Sequence, residues 1–202
     1  MMHEHSSATE RQQLRRLLLS YRGQLTEAER ERAAHKVSEH LHALTEFQQA
    51  QTIGSYHSVR AELPTAELNQ HLQREKQLAL PRLHPVVSNH LLFLQVTEKT
   101  IWHANSFGIP EPRLASPDII PLDHLDILLV PLVGFDQQGN RMGMGGGFYD
   151  RTLAAHRAGR YPKLLTIGLA FDCQQLEQLP TEPWDVPLNM VITPAKIWDF
   201  RS

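Results

Sequence analysis

ILLVPLVGFDQQGNRMGMGGGFYDR, residues 127–151, carries more structural information than any other segment of this chain. Its first part, residues 127–135, is an apolar run rich in β-branched side chains, which predicts a strand buried on both faces. Its last part begins at Phe148 and is typical of the start of a helix. Between the two lie a turn at Asp136 and Gly139 and then four glycines: Gly143, Gly145, Gly146 and Gly147.

A strand, a glycine loop and a helix start together predict a phosphate site. Glycine lets the backbone approach an anion and turn its N–H groups toward it, and a helix N-terminus adds partial positive charge. The loop is not a Walker A motif, because no Lys follows the glycines, and G-x-G-x-x-G fails because its last position is Phe148. The alternative is a surface turn without a ligand. Ordering each glycine costs roughly 0.5–1 kcal/mol relative to Ala, which favours a function.

Composition limits the class of protein. The chain has 202 residues, enough for one domain, and its hydrophobic fraction of 41% is typical of globular proteins. A net charge of −2 gives no general reason to bind nucleic acid or membranes. One cysteine and a polar N-terminus without a signal peptide predict a cytoplasmic protein. We expect a single domain over residues 1–202, with residues 1–8 as a flexible extension, and a monomer.

The order of elements predicts an α/β fold with a mostly parallel sheet, because strands and helices alternate. Helices are predicted at 8–21, 26–44, 66–75 and 148–158, the second opened by a capping box at Thr26 and Glu29. Strands are predicted at 52–56, 77–80, 91–96, 127–135, 164–170 and 190–193, with Pro81 ending the second. Residues 103–126 are proline-rich and predicted to be mostly loop. Ligands of such sheets bind beyond the carboxyl ends of strands, where the glycine loop lies.

Several motifs in this order resemble those of the 5-formyltetrahydrofolate cyclo-ligase, or methenyltetrahydrofolate synthetase, family. The longest is D-x-x-G-x-R-x-G-x-G-x-G-[FY]-Y-D, which begins at Asp136. The others are R-x-x-L-R (11–15), S-V-R-A-E-L-P-T (58–65), L-P-R (80–82), F-G-I-P-E-P (107–112) and W-D-V-P (184–187). The resemblance covers residues 10–198, nearly the whole chain.

The resemblance implies a three-layer α/β/α sandwich of the sugar-isomerase and CoA-transferase type. It also implies an enzyme that uses ATP and Mg²⁺ to convert 5-formyltetrahydrofolate to 5,10-methenyltetrahydrofolate, ADP and phosphate. In that reaction the formyl oxygen is phosphorylated, the second folate nitrogen attacks the formyl carbon, and phosphate leaves. Such chemistry asks the protein mainly to position the reactants, balance charge and exclude water.

The resemblance also implies roles for individual residues. The ATP-binding residues would be Arg11, Gln12, Gln13, Leu14, Arg15, Arg141, Met142, Gly143, Met144, Gly145, Gly146, Gly147, Phe148 and Tyr149. The substrate-binding residues would be His57, Glu62, Phe107 and Tyr149. Arg141 and Tyr149 would be catalytic, and Asp150 and Asp185 would hold Mg²⁺.

The chain departs from the family pattern in the nucleotide region. Arg11 stands where a Lys is usual, which keeps the charge but changes its geometry. Met144 and Gly146 stand where many members have basic residues. Asn189 replaces an acidic residue but retains a carbonyl oxygen that Mg²⁺ could accept as a ligand.

Alternatives remain open at the level of the sequence. The arginines could form a solvated helix face, Glu62 could be a surface charge, and the aromatic residues, Trp184 among them, could belong to the core. The two carboxylates could be structural. A sugar-phosphate isomerase-like enzyme and a non-catalytic nucleotide- or folate-binding module are the alternative functions.

Overall fold

The protein is described here by a computed structural model that covers residues 2–201, with side chains from Ala8 onward. Its helices are α1 (Met2–Gly23), α2 (Glu27–Ala43), α3 (Thr45–Gln49), α4 (Ala66–Glu75), α5 (Phe148–Thr152) and α6 (Ala154–Arg157). Its strands are β1 (Thr52–Gly54), β2 (Gln77–Leu83), β3 (Leu91–Gln95), β4 (Trp102–Ala104), β5 (Pro110–Pro112), β6 (Ile119–Ile120), β7 (Ile127–Val130), β8 (Gly134–Phe135), β9 (Arg141–Met142), β10 (Leu165–Leu169), β11 (Met190–Ile192) and β12 (Ile197–Asp199). Within this range no helix has both the length and the apolar composition needed to cross a bilayer.

Eight strands form the central sheet in the order β12-β11-β10-β7-β1-β2-β3-β6. The five strands from β11 to β2 in this order are parallel to one another, and β12 and β3 run antiparallel to them at the two sides. β6 pairs antiparallel with β3 and so runs in the direction of the five parallel strands. The strand order reverses at β1, because β2 lies on one side of it and β7 on the other. This reversal opens a crevice at the carboxyl ends of β1 and β7, which is where ligands bind in such sheets.

Apolar side chains fill both faces of the sheet, which confirms the predicted three-layer α/β/α fold. On one face, residues such as Leu41, Phe47 and Leu72 of α2, α3 and α4 pack against the sheet. On the other face, the β8–β9 hairpin, the junction of α5 and α6 and the segment before β11 contribute Phe135, Leu153 and others to a second cluster. β7 faces both clusters and all four of its residues are buried, as the apolar run predicts.

The strand predicted over 127–135 is wrong in its extent. Pro131 has no N–H to donate, and the ladder of β7 stops at Val130. The chain then leaves the sheet, and Val133 N–H donates to Met142 O at 2.7 Å at the base of the β8–β9 hairpin. Asp136 and Gly139 form the predicted turn of this hairpin, with two N–H groups bonded to Asp136 Oδ1. The hairpin therefore separates the glycine loop from the end of β7.

Pro81 does not end β2, which continues to Leu83. Val96 N–H donates to Leu78 O, so the hydrogen-bonded pairs with β3 fall on Leu78 and on every second residue after it. Pro81 therefore lies opposite Phe93 in a non-hydrogen-bonded pair. Its nitrogen points to the side where β1 has already ended, so no ladder bond is lost.

Other boundaries also differ from those predicted. The predicted helix over 148–158 is two short helices that meet at the buried Leu153. The proline-rich stretch contains the β4–β5 hairpin and β6, and β12 was not predicted. α1 begins at Met2, so the extension predicted over residues 1–8 continues this helix from Met2 onward, while Met1 lies outside the described residues. The flexibility of the extension stays a prediction.

Candidate functional site

A cavity of about 710 Å³ lies at the crevice between β1 and β7. Its wall brings together α1, the segment after β1, the start of the β7–β8 connection, the β4–β5 hairpin, the glycine loop and the segment before β11. Most of the predicted site residues line it: Arg11, Arg15, His57, Glu62, Phe107, Arg141, Gly143, Met144, Gly145, Gly146, Gly147, Phe148, Tyr149, Asp150 and Asp185. The structure therefore gathers segments that are far apart in sequence into one site.

Helix α1 lies across the carboxyl edge of the sheet and contributes one row of side chains to it. Arg11, Arg15, Leu18 and Arg22 are spaced by four, three and four residues, which puts them on one helix face. Leu18 is buried against Gly134 of the hairpin, and Arg22 is also buried. Arg11 and Arg15 are thereby directed into the cavity rather than forming a solvated helix face.

The glycine loop contains backbone angles that residues other than glycine rarely adopt. Gly145 and Gly147 adopt φ values of +98° and +67°, which residues with a Cβ rarely take. Arg15 Nε donates to Gly143 O at 2.8 Å, and its guanidinium carbon lies 3.6 Å from where a Gly145 Cβ would be. Arg151 donates to Gly146 O at 2.9 Å. Positive charge missing at Met144 and Gly146 is thus present beside the loop, supplied from α1 and α5.

Arg141 is buried at the floor of the loop and pairs with Asp150. Its Nη2 donates to Asp150 Oδ1 at 2.5 Å, and its guanidinium lies 5.9 Å from the centre of the Tyr149 ring. Val186 N–H also donates to Asp150 Oδ1, at 3.2 Å. Burial raises the pKa of Tyr149, so the phenol stays protonated and can donate a hydrogen bond.

Arg11 and Asp185 form a second ion pair, between α1 and the segment before β11. Arg11 Nη1 and Nη2 donate to the two carboxylate oxygens at 2.5 and 3.0 Å, and Nη1 also donates to Pro180 O at 2.6 Å. Glu182 N–H donates to Asp185 Oδ2 at 2.8 Å. Such a bidentate pair between partly buried groups holds α1 against the C-terminal part of the chain.

The two predicted metal ligands differ in how well they fit a cation. Mg²⁺ usually takes one or two carboxylates together with phosphate oxygens and water. Asp150 Oδ2 accepts no hydrogen bond from the described residues, whereas both oxygens of Asp185 are engaged. Among the side chains described, those of residues 8–201, there is no cluster of three or more His, Cys, Asp or Glu suited to a metal. Asp150 therefore fits Mg²⁺ carried by a triphosphate, and Asp185 fits it less well.

Asn189 does not serve as a replacement for the missing acid. Its side-chain oxygen accepts bonds from the N–H and the hydroxyl of Thr166 at 2.8 and 2.9 Å. These bonds tie the segment before β11 to β10, outside the cavity. The expectation that its carbonyl serves Mg²⁺ is therefore wrong.

Glu62 lies in a strained turn after β1. Its carboxylate accepts from Val59 N–H at 2.9 Å, and its own N–H donates to Val59 O at 2.9 Å. Arg60 and Ala61 have φ values of +50° and +60°, which are unfavourable for side chains other than glycine. Burial raises the pKa of Glu62, although the bond from Val59 and the charge of Arg22 oppose this. A partly buried carboxylate on a cavity wall is suited to a ligand that brings N–H donors.

His57 and Phe107 also line the cavity. Burial lowers the pKa of His57, so its ring is neutral near pH 7. His57 Nε2 is buried without a hydrogen-bond partner among the described residues, and the ring meets Trp102 edge to face at 5.3 Å. Phe107 is exposed and contacts the edge of Phe148 at 5.9 Å between ring centres. Both are therefore open to contact with a planar ligand, and Phe107 is not a core residue.

Comparisons with known proteins agree with this geometry. The chain matches the model of the 5-formyltetrahydrofolate cyclo-ligase family over residues 7–194. The chain belongs to the 5-formyltetrahydrofolate cyclo-ligase family. The 5-formyltetrahydrofolate cyclo-ligase of Haemophilus influenzae is 45% identical over 179 residues, which are 88% of this chain and 94% of that protein. That of Escherichia coli K12 is 44% identical over 152 residues, 75% and 82% of the two chains.

A solved structure bears out the fold as well. The structure of Aquifex aeolicus 5,10-methenyltetrahydrofolate synthetase aligns with a TM-score of 0.81 at 31% identity, over 95% of this chain and 93% of that one. The predicted family, the α/β fold and the assignment of the chain as a folate-directed cyclo-ligase are thereby confirmed.

Not every residue that the cyclo-ligase motif implied reaches the cavity. Gln12 and Gln13 are exposed on α1, and neither they nor Leu14 line the cavity. Met142 is buried beneath the loop in β9. Their contact with ATP stays a prediction, as do the individual roles assigned to the residues that do line the wall.

The motifs missed two arginines and misjudged one aromatic residue of the cyclo-ligase site. Trp184 is 65% exposed and lines the cavity, although its apolar character suggested the core. Arg60 lines the wall, and Arg22 lies behind it. The one sequence signal for Arg22 is its register with Arg11 and Arg15 on α1.

Proposed function

We propose that the protein uses ATP and Mg²⁺ to convert 5-formyltetrahydrofolate to 5,10-methenyltetrahydrofolate, with release of ADP and phosphate. The observation that carries the proposal is that residues implied for ATP, the glycine loop among them, and residues implied for folate line one cavity. A direct phosphoryl transfer from ATP to folate requires such a shared cavity, because the reacting atoms must meet at about 3–3.5 Å.

The reaction needs the formyl oxygen to become a leaving group. In our proposal the formyl oxygen attacks the γ-phosphorus, the O–P bond forms, and the bond to ADP breaks. The second folate nitrogen then adds to the formyl carbon and loses its proton, and the carbon–oxygen bond breaks as phosphate leaves. The protein holds the reactants and balances the charge of the phosphoryl group.

The nucleotide half of the cavity supplies charge and N–H donors. The backbone of the glycine loop would cradle the phosphates, and Arg15 would leave Gly143 O for a phosphate oxygen at the same edge. Arg141 lies behind the loop beside Tyr149 and would neutralise charge as the phosphoryl group moves. Asp150 would hold the Mg²⁺ that ATP carries, and that ion would reduce the negative charge of the triphosphate.

The folate half supplies one partly buried carboxylate and several aromatic surfaces. Glu62 would accept paired N–H bonds from the amino-pyrimidine edge of the pterin, and these donors would offset the cost of keeping it charged when buried. His57 would contact the substrate from the same side. Phe107, Phe148 and Trp184 stand at the wall and would shield the reactive phosphate from water.

The test is a spectroscopic assay of the purified protein. The methenyl product absorbs in the near ultraviolet, so its formation is followed with and without ATP and with and without Mg²⁺. We expect product only when both are present. Binding of both ligands without turnover would favour the non-catalytic module instead, and isomerisation of a sugar phosphate without nucleotide would favour the isomerase. A monomeric state and a cytoplasmic location also stay predictions.

A further inference from the structure

Arg22 does not line the cavity, but it donates to the carbonyl oxygens of two residues that do, Arg60 and Leu132. It stands in the last turn of α1 and is 1% exposed, which makes it one of the largest fully buried side chains. A buried guanidinium is costly unless its donors are used. The contacts that Arg22 makes therefore indicate what it does.

The guanidinium of Arg22 joins the ends of two parallel strands. Nη2 donates to Arg60 O at 2.8 Å, in the segment that follows β1, and Nη1 donates to Leu132 O at 3.3 Å, in the segment that follows β7. Leu132 O also accepts from Gln174, at 2.9 Å, whereas the only described donor to Arg60 O is Arg22. The bond to Arg60 is thus the one that no other described side chain replaces.

The segment that Arg22 holds is strained and contains Glu62. Arg60 and Ala61 both have positive φ, and residues in that region persist only when their surroundings hold them. Glu62 follows directly and lines the cavity. Arg22 makes no ion pair with Glu62 among the described residues, but its charge lowers the pKa of Glu62 against the larger effect of burial.

We infer that Arg22 is a positioning residue that sets the Glu62 carboxylate for the substrate and links the folate turn to the helix carrying Arg11 and Arg15. This inference rests on the proposed function. Arg22 acts through the carbonyl of Arg60, so its loss should affect folate more than ATP. The nucleotide end of α1 has its own attachments, from Arg11 to Asp185 and from Arg15 to Gly143.

The experiment compares three variants with a control on the same helix. Arg22→Met keeps the long apolar stem but removes both bonds, Arg22→Lys keeps the charge and one bond, and Arg22→Ala leaves space for free guanidinium. Arg16→Met is the control, because Arg16 is exposed on α1. The readouts are KM for 5-formyltetrahydrofolate, KM for ATP, folate affinity without nucleotide, and Tm.

For Arg22→Met we expect KM for folate to rise about tenfold or more and KM for ATP to change less than about threefold. Arg22→Lys should lie between wild type and Met, and millimolar guanidinium should restore part of the folate affinity of Arg22→Ala. Arg16→Met should resemble wild type.

In Arg22→Met, a lower Tm with an unchanged KM for folate would overturn the inference, and so would equal losses of affinity for folate and ATP. If Arg22→Met does not fold, the inference is tested by the KM for folate of Arg22→Lys and by the guanidinium titration of Arg22→Ala. A wild-type protein that forms no product from ATP and folate would instead overturn the proposed function, and folate affinity would still test the role of Arg22.

Discussion

Gly145→Ala offers the sharpest test of the glycine loop, because its structural cost can be separated from its effect on ATP. Gly145 has φ +98°, and nothing lies closer than 3.6 Å to the position of an added Cβ. The cost is therefore one of backbone conformation, roughly 1–2 kcal/mol for an L-residue in the left-handed region. For a chain of this length we expect a fall in Tm of about 2–8 °C.

Gly159→Ala is the matched control. Gly159 has φ +77°, has open space around its Cβ position, and does not line the cavity. Its substitution should lower Tm by a similar amount. Only Gly145→Ala should disturb the loop N–H groups, and loss of one hydrogen bond to a charged phosphate costs about 1.5–3 kcal/mol. KM for ATP should then rise about ten- to a hundredfold.

The assay is near-ultraviolet product formation at saturating folate over a range of ATP concentrations, together with thermal unfolding of each variant. An unchanged KM for ATP in Gly145→Ala would refute the assignment of the loop to phosphate. An equal rise in the KM for ATP in Gly145→Ala and Gly159→Ala would show that general destabilisation, rather than the loop, controls nucleotide affinity.

Three further predictions concern charged groups of the cavity. Arg15→Ala should weaken ATP binding by about 1.5–3 kcal/mol in calorimetry, whereas Arg16→Ala, on the exposed side of the same helix, should leave it unchanged; equal effects would argue against a direct role. Glu62→Gln should sharply reduce folate affinity while ATP affinity survives, and wild-type folate affinity would remove Glu62 from the site. Because folding raises the pKa of Glu62, the stability that its protonated form contributes is lost as pH rises from the ordinary pKa through the raised value. Over that interval the Tm of wild type should therefore fall relative to the Tm of Glu62→Gln. Asp150→Asn should raise the Mg²⁺ concentration for half-maximal rate several-fold. Asp185→Asn should mainly lower Tm, because both carboxylate oxygens of Asp185 already accept hydrogen bonds within the protein. The reverse pattern would place the metal at Asp185.

Local signals were sufficient where one segment determines its own conformation. The capping box at Thr26 and Glu29 correctly starts α2, because both of its bonds lie within four residues. The turn at Asp136 forms as predicted because one carboxylate satisfies nearby N–H groups. Alternation of strands and helices was enough to predict the α/β class.

Element boundaries depended on neighbours that a linear pattern does not show. Pro81 can remain inside β2 only because β1 stops first and leaves its nitrogen side unpaired. The apolar run after β7 reads as one strand, but its second half pairs with β9 in a separate hairpin. Hydrophobicity alone could not show that the first half pairs within the central sheet and the second half with β9.

Sequence motifs and composition were enough to predict the family, the sandwich fold and half of the residues of the cavity wall, because those properties follow from short-range patterns and a long, specific signature. The pairing of those residues depended on chain segments far apart in sequence. Arg11 meets Asp185 across 174 positions, and Arg22 reaches the ends of two strands at once. Such contacts form only when the sheet brings the carboxyl ends of its strands to one edge, where burial makes each unpaired charge or carbonyl costly and so selects its partner.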